Sequence, residues 1–432
     1  MKEDIHETRF KNGLVVLTDR MPSVRSVTLG FFFRAGSRHE PDELNGITHF
    51  IEHAVFKGTK RRTALDIAIE QDRLGGTLEA FTTHEETGFA IKVIDDQLEA
   101  AFDLLADMLG GSRFDEKEMR SEQKVIIEEM KMTDDSPEER LGEIFSRAYF
   151  PRHPLGLSIA GTPKTVRTFD QAAARKYHRR MFKPANIVVV AAGNVKHDEF
   201  VKLASSMPFS TRSTPRGNNS ASSANSALRT SPPKTAAPIV IRQNKTLEQA
   251  HLLLATPFVS GRDERRYAAD MLAQVLGGGT SSRLWQKVRE ERGLAYSVGA
   301  SSIMFADCGL FMVSAATSPD QTHDVVDIAV EEMRDVVSNG VTADELELAK
   351  QQTRASVLLS LEDSASRAAG LAQSEMLHGR QITVEESLRN TNAVTLEEVR
   401  AIAREFFCTE RMAFAALGNL QGLKVNRKRL AI

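Results

Sequence analysis

The feature of this sequence that most constrains its fold is an internal repeat, in which the second half of the chain repeats the pattern of the first. Asp96-Gln97 recurs as Asp320-Gln321, an offset of 224 residues (320 − 96). Phe182 recurs as Phe407, and Gly193-Asn194 recurs as Gly418-Asn419, each at an offset of 225 residues (407 − 182 and 418 − 193). So constant an offset indicates an internal duplication. Each half has strands, two helices flanking a strand pair, and a final helix and strand. This order predicts an α+β fold of two similar domains, each a largely antiparallel sheet packed by helices.

The length of the chain also favours two domains. A chain of 432 residues exceeds what one core usually accommodates and fits two domains of about 200 residues. Between Ser210 and Pro238 the composition shifts to Ser, Thr, Asn, Ala and Pro, which is typical of a flexible linker. A long surface loop inside one domain is the alternative. We expect one domain over residues 1–209, a linker over 210–238 and a second domain over 239–432.

Local patterns predict the elements of the first half. Asn12-Gly13 marks the turn of a hairpin, Gly75-Gly76 ends a helix, and apolar residues from Leu98 to Met108 follow a helical period. The predicted elements are a hairpin over Thr8–Asp19, strands over Ser26–Arg34, Thr77–Thr83, Thr87–Val93 and Asn186–Ala192, and helices over Ile47–Phe56, Ala64–Leu74, the segment around Leu98–Met108, Asp115 past Met130, and Gln171–Met181.

Charge and composition exclude several classes of protein. A net charge of −2 gives no sign of a nucleic-acid or anionic-membrane partner. No segment approaches the roughly 20 apolar residues of a transmembrane helix, and the first ten residues carry acids and histidine where a signal peptide needs an apolar run. Cys308 and Cys408 lie far apart, without the spacing of a disulfide framework or a thiolate zinc site. The expected location is the cytoplasm.

A short motif in the first half has the spacing of a metal site. His49, Glu52 and His53 form a His-x-x-Glu-His sequence. On a helix, the two histidines stand four residues apart on one face, where both imidazoles can bind one metal. Glu52 can reach a metal-activated water without being a ligand. Shifted by 224 residues, the histidines fall on Ala273 and Gly277, so only the first copy has these donors.

A catalytic zinc site usually needs a third protein ligand. On the helix that runs past Met130, Glu122, Val125, Ile126 and Glu129 stand at i, i+3, i+4 and i+7, and the two apolar residues predict that this stripe faces inward. Buried carboxylates need a partner or a metal. Glu129 is therefore the expected ligand and Glu122 a group that orients a ligand or water, whereas Glu128 is expected in solvent. There is an alternative for each feature. The two histidines could simply lie on the surface, and the two carboxylates could pair with an arginine.

These residues resemble the motifs of the pitrilysin-like zinc peptidases, or inverzincins. This family includes insulysin and mitochondrial processing peptidase. The resemblance covers nearly the whole chain except the linker, and the length is similar to the short-chain branch, which contains the processing peptidase beta subunit and bacterial homologues. The segments that carry it are His49–His53, Val125–Met130, Leu74–Thr82, Gly277–Leu284 and Arg289–Tyr296.

The resemblance implies a role for each matching residue. His49, His53 and Glu129 would bind one zinc ion per active site, with Glu52 as the general base and Glu122 in support. Two further residues, Arg289 and Tyr296, would come from a facing subunit to hold the substrate backbone and stabilise the oxyanion. Without the resemblance, Arg289 is read as a solvated helix residue and Tyr296 as a strand core residue. One departure is Glu79, where the family usually has Asn; the expectation is an extra carboxylate beside the zinc.

The expected function is that of a zinc metalloendopeptidase in which residues 1–209 are catalytic and residues 239–432 supply the Arg/Tyr pair. An extended or unfolded peptide would add a strand to the edge at Thr77–Thr83, inside a clamshell formed by a homodimer or by a heterodimer with a paralogous subunit. Two histidines and one glutamate favour zinc over manganese or cobalt. The alternatives are a peptidase that depends on a partner subunit and a catalytically silent structural subunit of the same fold.

Overall fold

The computed structural model describes residues 3–207, 231–420 and 422–432. Most of the predicted linker, residues 210–230, lies outside this described part. The strands are β1 Ile5–Arg9, β2 Val15–Arg20, β3 Ser26–Phe33, β4 Leu78–Thr82, β5 Thr87–Ile94, β6 Ile187–Gly193, β7 Ile239–Gln243, β8 Ala250–Phe258, β9 Ala295–Met304, β10 Gly309–Thr317 and β11 Ala413–Gly418. The helices are α1 Ile47–Ala54, α2 Ala64–Leu74, α3 Leu98–Gly111, α4 Glu116–Asp135, α5 Pro137–Tyr149, α6 Pro163–Val166, α7 Gln171–Met181, α8 His197–Ser205, α9 Arg266–Gly277, α10 Thr322–Asn339, α11 Ala343–Ser360, α12 Ser364–His378, α13 Val384–Ala393 and α14 Leu396–Phe406.

The predicted elements of the first half correspond to observed ones. The hairpin forms as β1 and β2 in antiparallel register, with Gly13 at a φ of 93° in the turn. Helix α2 has the predicted bounds and ends at Gly75, whose φ of 64° closes the helix in the left-handed region. The motif helix is two residues shorter than predicted, since α1 ends at Ala54.

The two sheets share one topology, which confirms the predicted duplication. The first has the order β1-β2-β6-β3-β5-β4 and the second β7-β11-β8-β10-β9. In each, one pair is parallel (β2 with β6, β7 with β11) and the following pairs are antiparallel. Strand β1 is thus the one addition to the first sheet. The edge strands β4 and β9 occupy equivalent positions.

Both faces of each sheet are covered, which explains why the central strands β6 and β11 are continuous apolar runs. Alternate residues of β6 separate into two clusters: Ile187, Val189 and Ala191 pack with the helices of the first half, whereas Val188, Val190 and Ala192 pack with α12. In the second sheet, the equivalent covering helix is α5, which packs on Leu253, Ala255, Ala413 and Ala415.

The covering helices make each compact unit discontinuous in sequence. The first unit contains Met1–Met130, Ser158–Ser231 and Val357–Thr383, and the second contains Lys131–Leu157, Pro232–Ser356 and Val384–Ile432. Helix α12 therefore belongs to the first unit and α5 to the second. The sequence-based boundaries at residues 209 and 239 do not include this exchange of segments, and they stay a prediction.

Polar contacts fasten α12 to the first sheet. Glu375, which is 1% exposed, accepts hydrogen bonds from Arg34 Nη2 at 2.7 Å and Arg9 Nη1 at 2.9 Å. Near the start of the helix, Thr28 Oγ1 and Ser364 Oγ lie 2.8 Å apart. Because buried charges need partners, these contacts specify where the helix docks. Within the described residues, no helix combines the length and apolar character needed to cross a bilayer.

The cap of α12 generates a pH-dependent prediction. Asp363 Oδ2 accepts from Ser366 N at 2.9 Å, and Lys92 Nζ donates to Oδ1 at 2.7 Å. The hydrogen bond from Lys92 lowers the pKa of Asp363 from 3.8 to about 2. A carboxylate whose pKa is lower in the folded than in the unfolded state stabilises the fold. This contribution is fully present above the pKa of the unfolded state and is lost as the pH falls towards the pKa of the folded state.

We expect Asp363→Ala to cost about 1 kcal/mol at pH 7, the usual value of an N-cap. The difference from wild type should shrink as the pH falls below 4, in urea unfolding followed by circular dichroism. Asp72→Ala, an exposed acid on α2, is the control and should have little effect. A difference that stays constant down to pH 3 would contradict the assignment.

Candidate metal centre

Helix α1 presents the motif residues on the side opposite its apolar face. Ile47, Phe50 and Ile51 are fully buried in the core of the first unit. His49 and His53 follow on the other side, with 12% and 23% of their side chains exposed, and their ring centroids are 4.7 Å apart. The helical spacing therefore brings both imidazoles together, as the motif predicts.

Glu129 on α4 joins the two histidines. Its Oε1 lies 3.7 Å from His49 Nε2, and its Oε2 lies 3.5 Å from His53 Nε2. One donor atom from each of the three residues falls within a 4.8 Å cluster. The structure thus brings together the three residues that the sequence proposed as ligands.

The spacing of these atoms is close to that of ligands that share one ion. Donors about 2.1 Å from a tetrahedral zinc lie about 3.4 Å from each other. The contacts of Glu129 with the histidines, one through each carboxylate oxygen, are 3.5 and 3.7 Å. Glu129 Oε2 is buried and has no hydrogen-bond partner in the described part of the chain, which fits an oxygen that acts as a metal ligand. Burial, with the neighbouring His53, lowers the pKa of His49 to about 4, so its ring is neutral near pH 7 and able to bind a metal.

Glu122 and Lys57 support His53. Glu122 Oε2 lies 3.3 Å from His53 Nδ1, and Lys57 Nζ lies 2.8 Å from Glu122 Oε1. A carboxylate on Nδ1 holds the ring so that Nε2 faces the metal position. Burial alone would lower the pKa of His53, but Glu122 and the other carboxylates outweigh it and raise the pKa. Sequence reasoning missed Lys57; its signal was a cation four residues after the second histidine.

The buried stripe of α4 differs from the predicted one. Glu122 and Ile126 are buried as expected, but Val125 is 47% exposed, so the prediction that it faces inward is wrong. Steps of about 100° along a helix put Met119 within about 20° of Ile126, whereas Val125 lies about 100° away. Met119, Glu122 and Ile126 are the buried residues of this helix. Glu129 follows Glu122 by two turns on the same side of the helix, and 46% of its side chain is exposed.

No arginine contacts Glu122 or Glu129 among the described residues. Glu129 faces the two histidines, and Glu122 contacts His53 and Lys57. The alternative in which both acids pair with an arginine therefore does not describe this site. Glu128 is exposed, as predicted.

Glu52 is hydrogen-bonded to the edge strand β4. Its residue is 9% exposed, and Thr82 Oγ1 donates to its Oε2 at 2.6 Å. Burial raises the pKa of Glu52, against the hydrogen bond from Thr82 and the nearby His53. A raised pKa brings a carboxylate closer to the range in which it can exchange protons near neutral pH. Thr82 was within the predicted strand, but its contact with Glu52 depends on the packing of β4 against α1.

Glu79 lies on β4 with opposite parity to Thr82. Side chains alternate between the faces of a strand, so Glu79 points to the face opposite Thr82 and Glu52. Phe81 shares the parity of Glu79, and its ring centroid lies 6.2 Å from that of Phe32, which belongs to the cluster that packs with α12. The expectation that Glu79 places an extra carboxylate beside the zinc is therefore wrong, because the alternation of side chains along the strand directs Glu79 to the other face of the sheet.

Arg289 and Tyr296 contact each other in the second unit. Arg289 lies in a π-helical turn, Trp285–Glu290, and its guanidinium carbon is 4.2 Å from the ring centroid of Trp285 and 4.6 Å from that of Tyr296. Arg289 Nη1 also donates to the carbonyl of Tyr296 at 3.0 Å. Tyr296 is 77% exposed, so its reading as a core residue is wrong. π-helical turns are frequent at functional sites.

Comparisons with known proteins agree with this geometry. Residues 15–163 match the family described as insulinase (peptidase family M16), and residues 168–353 match the peptidase M16 inactive domain. The chain is 38% identical to an uncharacterised zinc protease of Streptomyces coelicolor over 98% of this chain and 91% of the relative. It is 36% identical to the uncharacterised zinc protease YmxG of Bacillus subtilis over 94% of this chain and 96% of the relative.

Two solved structures share the fold. A protease from Helicobacter pylori has a TM-score of 0.87 at 22% identity, covering 96% of this chain and 100% of that chain. A peptidase M16 inactive domain from Pseudomonas fluorescens has a TM-score of 0.86 at 20% identity, covering 96% and 98%. At these identities the likeness concerns the fold.

Two adjacent glutamates of α4 allow a matched test of the third ligand. We expect Glu129→Gln to weaken zinc binding by at least about tenfold, because a neutral amide replaces an anionic donor. Glu128→Gln makes the same chemical change one position away, on the exposed side, and should leave zinc affinity unchanged. Competition with a chromophoric chelator measures both. Equal affinities for the two variants would remove Glu129 from the donor set.

Proposed function

Because this chain belongs to the insulinase family of peptidases, peptidase family M16, we propose that it is a zinc-dependent metalloendopeptidase that hydrolyses extended or unfolded peptides. A peptidase-type function is supported by the family and by relatives named as zinc proteases. The observation that carries the proposal is the convergence of His49, His53 and Glu129 at distances close enough to share one metal ion. All three proposed donors are present in this chain, and a catalytically silent structural subunit would not need them.

Each residue of the centre has a proposed role. His49 Nε2, His53 Nε2 and Glu129 would hold the ion, and Glu122 would orient His53. When bound, zinc supplies a Lewis acid that activates water and polarises a carbonyl. Glu52 Oε2 is engaged by Thr82, which leaves Oε1 to take a proton from the attacking water. Glu52 would then deliver that proton to the nitrogen of the leaving amine.

The peptide would bind along β4. This strand pairs with β5 on one side and is the last in the order of the first sheet, so its outer edge can accept an extended chain. Thr82, at the end of the strand, contacts Glu52, which would align the scissile bond with the proton acceptor. Recognition through main-chain hydrogen bonds tolerates varied side chains, and we therefore propose broad sequence specificity.

Arg289 and Tyr296 are the proposed substrate clamp, supplied by a facing subunit of a homodimer or of a heterodimer with a paralogous subunit. A guanidinium stacked between two aromatic rings is held in one orientation, and the ring of Tyr296 is open to solvent. Together they could donate hydrogen bonds to the oxyanion of the tetrahedral intermediate. An enclosed chamber between the subunits would limit substrates by size.

The role of Glu52 is tested by an isosteric change. Glu52→Gln should retain zinc, because Glu52 is not a proposed ligand, and should lower the hydrolysis of an unstructured peptide about 10²–10⁴-fold, as loss of a general base does. Zinc content and peptide cleavage are measured on the same preparation, with Glu128→Gln as the control. A variant that keeps near-normal turnover would end this mechanism.

The origin of the clamp is tested by mixing two inactive variants. If Arg289 acts across a dimer, Glu52→Gln and Arg289→Ala chains should complement each other, because a mixed dimer contains one site with both residues intact. Random reassembly gives about a quarter of the wild-type sites. Peptide cleavage is measured before and after the chains are unfolded and refolded together. No recovery in mixtures that contain mixed dimers would mean that Arg289 does not act across the dimer.

A further inference from the structure

The start of helix α1 lacks an ordinary side-chain cap. The first backbone N–H groups of a helix have no partners within it, and Gly46, the cap residue of α1, has no side chain to offer them. A Cβ at position 46 would lie 2.4 Å from the carbonyl oxygen of Ala160 and 2.8 Å from Gly161 Cα, and the φ of Gly46 is 97°. The close approach of this loop therefore excludes a capping serine or aspartate at Gly46.

Glu40 takes over the capping from six residues upstream. Its Oε2 accepts from Gly46 N at 2.7 Å, its Oε1 accepts from Thr48 N at 2.7 Å, and Asn45 Nδ2 lies 3.3 Å from Oε2. Thr48 immediately precedes the first proposed ligand, His49. Glu40 is thus bonded to the turn from which the metal donors project.

The position of Glu40 is energetically costly. The residue is 8% exposed, and its hydrogen-bond partners in the described structure are all neutral. Burial raises the pKa of Glu40 to about 7 in spite of the bonds from Thr48 and Gly46. A buried carboxylate without a cation is stabilised mainly by oriented N–H groups and the helix dipole. A solvent-exposed cap would satisfy the helix at a lower cost.

The segment that carries Glu40 also holds the end of the edge strand β4. Ser37 N donates to the carbonyl of Thr83 at 3.0 Å, and Arg38 N donates to that of His84 at 2.9 Å. Thr83 follows Thr82, which bonds Glu52. One short segment, residues 36–48, therefore connects the N-terminus of α1 with the strand end that holds the proposed proton acceptor.

We propose that Glu40 is a positioning residue of the metal centre: its carboxylate sets the start of α1 relative to β4 and so the angles at which His49 and His53 meet the ion. The proposal rests on the proposed function, because it assumes that these histidines bind zinc. An eight-residue helix has little stability of its own, so an error at its first turn is passed on to the donors one turn later.

The test is Glu40→Gln, which keeps the shape but sets an NH₂ group against one of the two backbone donors. Its control is Asp66→Asn, the same acid-to-amide change at the capping box of α2 in the same unit, where Asp66 Oδ2 accepts from Thr63 N at 2.8 Å. Zn²⁺ affinity is measured by chelator competition, and the visible spectrum of the Co²⁺-loaded protein reports ligand geometry. Thermal unfolding of the metal-free proteins measures the purely structural effect.

We expect Glu40→Gln to bind Zn²⁺ at least about tenfold more weakly, with an altered Co²⁺ spectrum and a lower kcat at similar KM. Asp66→Asn should match wild type in all three. If Glu40→Gln does not fold, Asn45→Ala is the second variant. It removes the 3.3 Å bond to the carboxylate together with a 3.0 Å bond to the carbonyl of Ser158, and it should give a smaller change of the same kind. Zn²⁺ affinity and a Co²⁺ spectrum equal to wild type would overturn the role of Glu40, whatever the thermal stability.

Wild-type protein serves to separate this inference from the function on which it rests. A wild type that neither binds Zn²⁺ nor cleaves an unstructured peptide would overturn the proposed function. A wild type that does both, beside an unchanged Glu40→Gln variant, would overturn the positioning role of Glu40 alone.

Discussion

The candidate centre depends on one packing constraint, the docking of α1 on the core of the first unit, to which α4 also contributes. Ile47, Phe50 and Ile51 are fully buried, and burial of three such side chains contributes about 1.5–3 kcal/mol each. That apolar face fixes the rotation of the helix, so the opposite side must present the histidines at a constant distance from Glu129. The 3.5 and 3.7 Å separations between donors follow from this arrangement. Without the core contacts, an eight-residue helix could not hold a metal geometry.

Polar residues beneath the donors make this docking specific. Buried carboxylates are costly unless bonded, and each one near the centre has defined partners: Glu122 has His53 and Lys57, Glu52 has Thr82, and Glu40 has backbone N–H groups of α1. These bonds are directional where apolar packing is not. The core thus brings the elements together, and the buried acids determine the orientation of the donors.

The duplication shows how one sheet topology supports two different uses. The second half repeats the strand order and the covering helix, but Ala273 and Gly277 stand where the first half has its histidines. In place of metal donors, the second unit has a π-helical turn that stacks Arg289 between Trp285 and Tyr296. Side chains at the sheet ends and loops could diverge because the fold is stabilised by the buried strands, which both copies retain.

The sequence by itself determined the duplication, the α+β class and the three residues proposed as metal donors. Periodicity is a local property, and a His-x-x-Glu-His spacing already puts two imidazoles on one helical face. Only the tertiary structure decided that α12 and α5 cover the second faces of the sheets, that Val125 is exposed while Glu129 meets the histidines, that Glu79 points away from Glu52, and that Lys57, Thr82 and Glu40 support the site. The physical reason is that these features depend on contacts between residues far apart in the chain, and the free energy of such contacts leaves no periodic trace in the sequence.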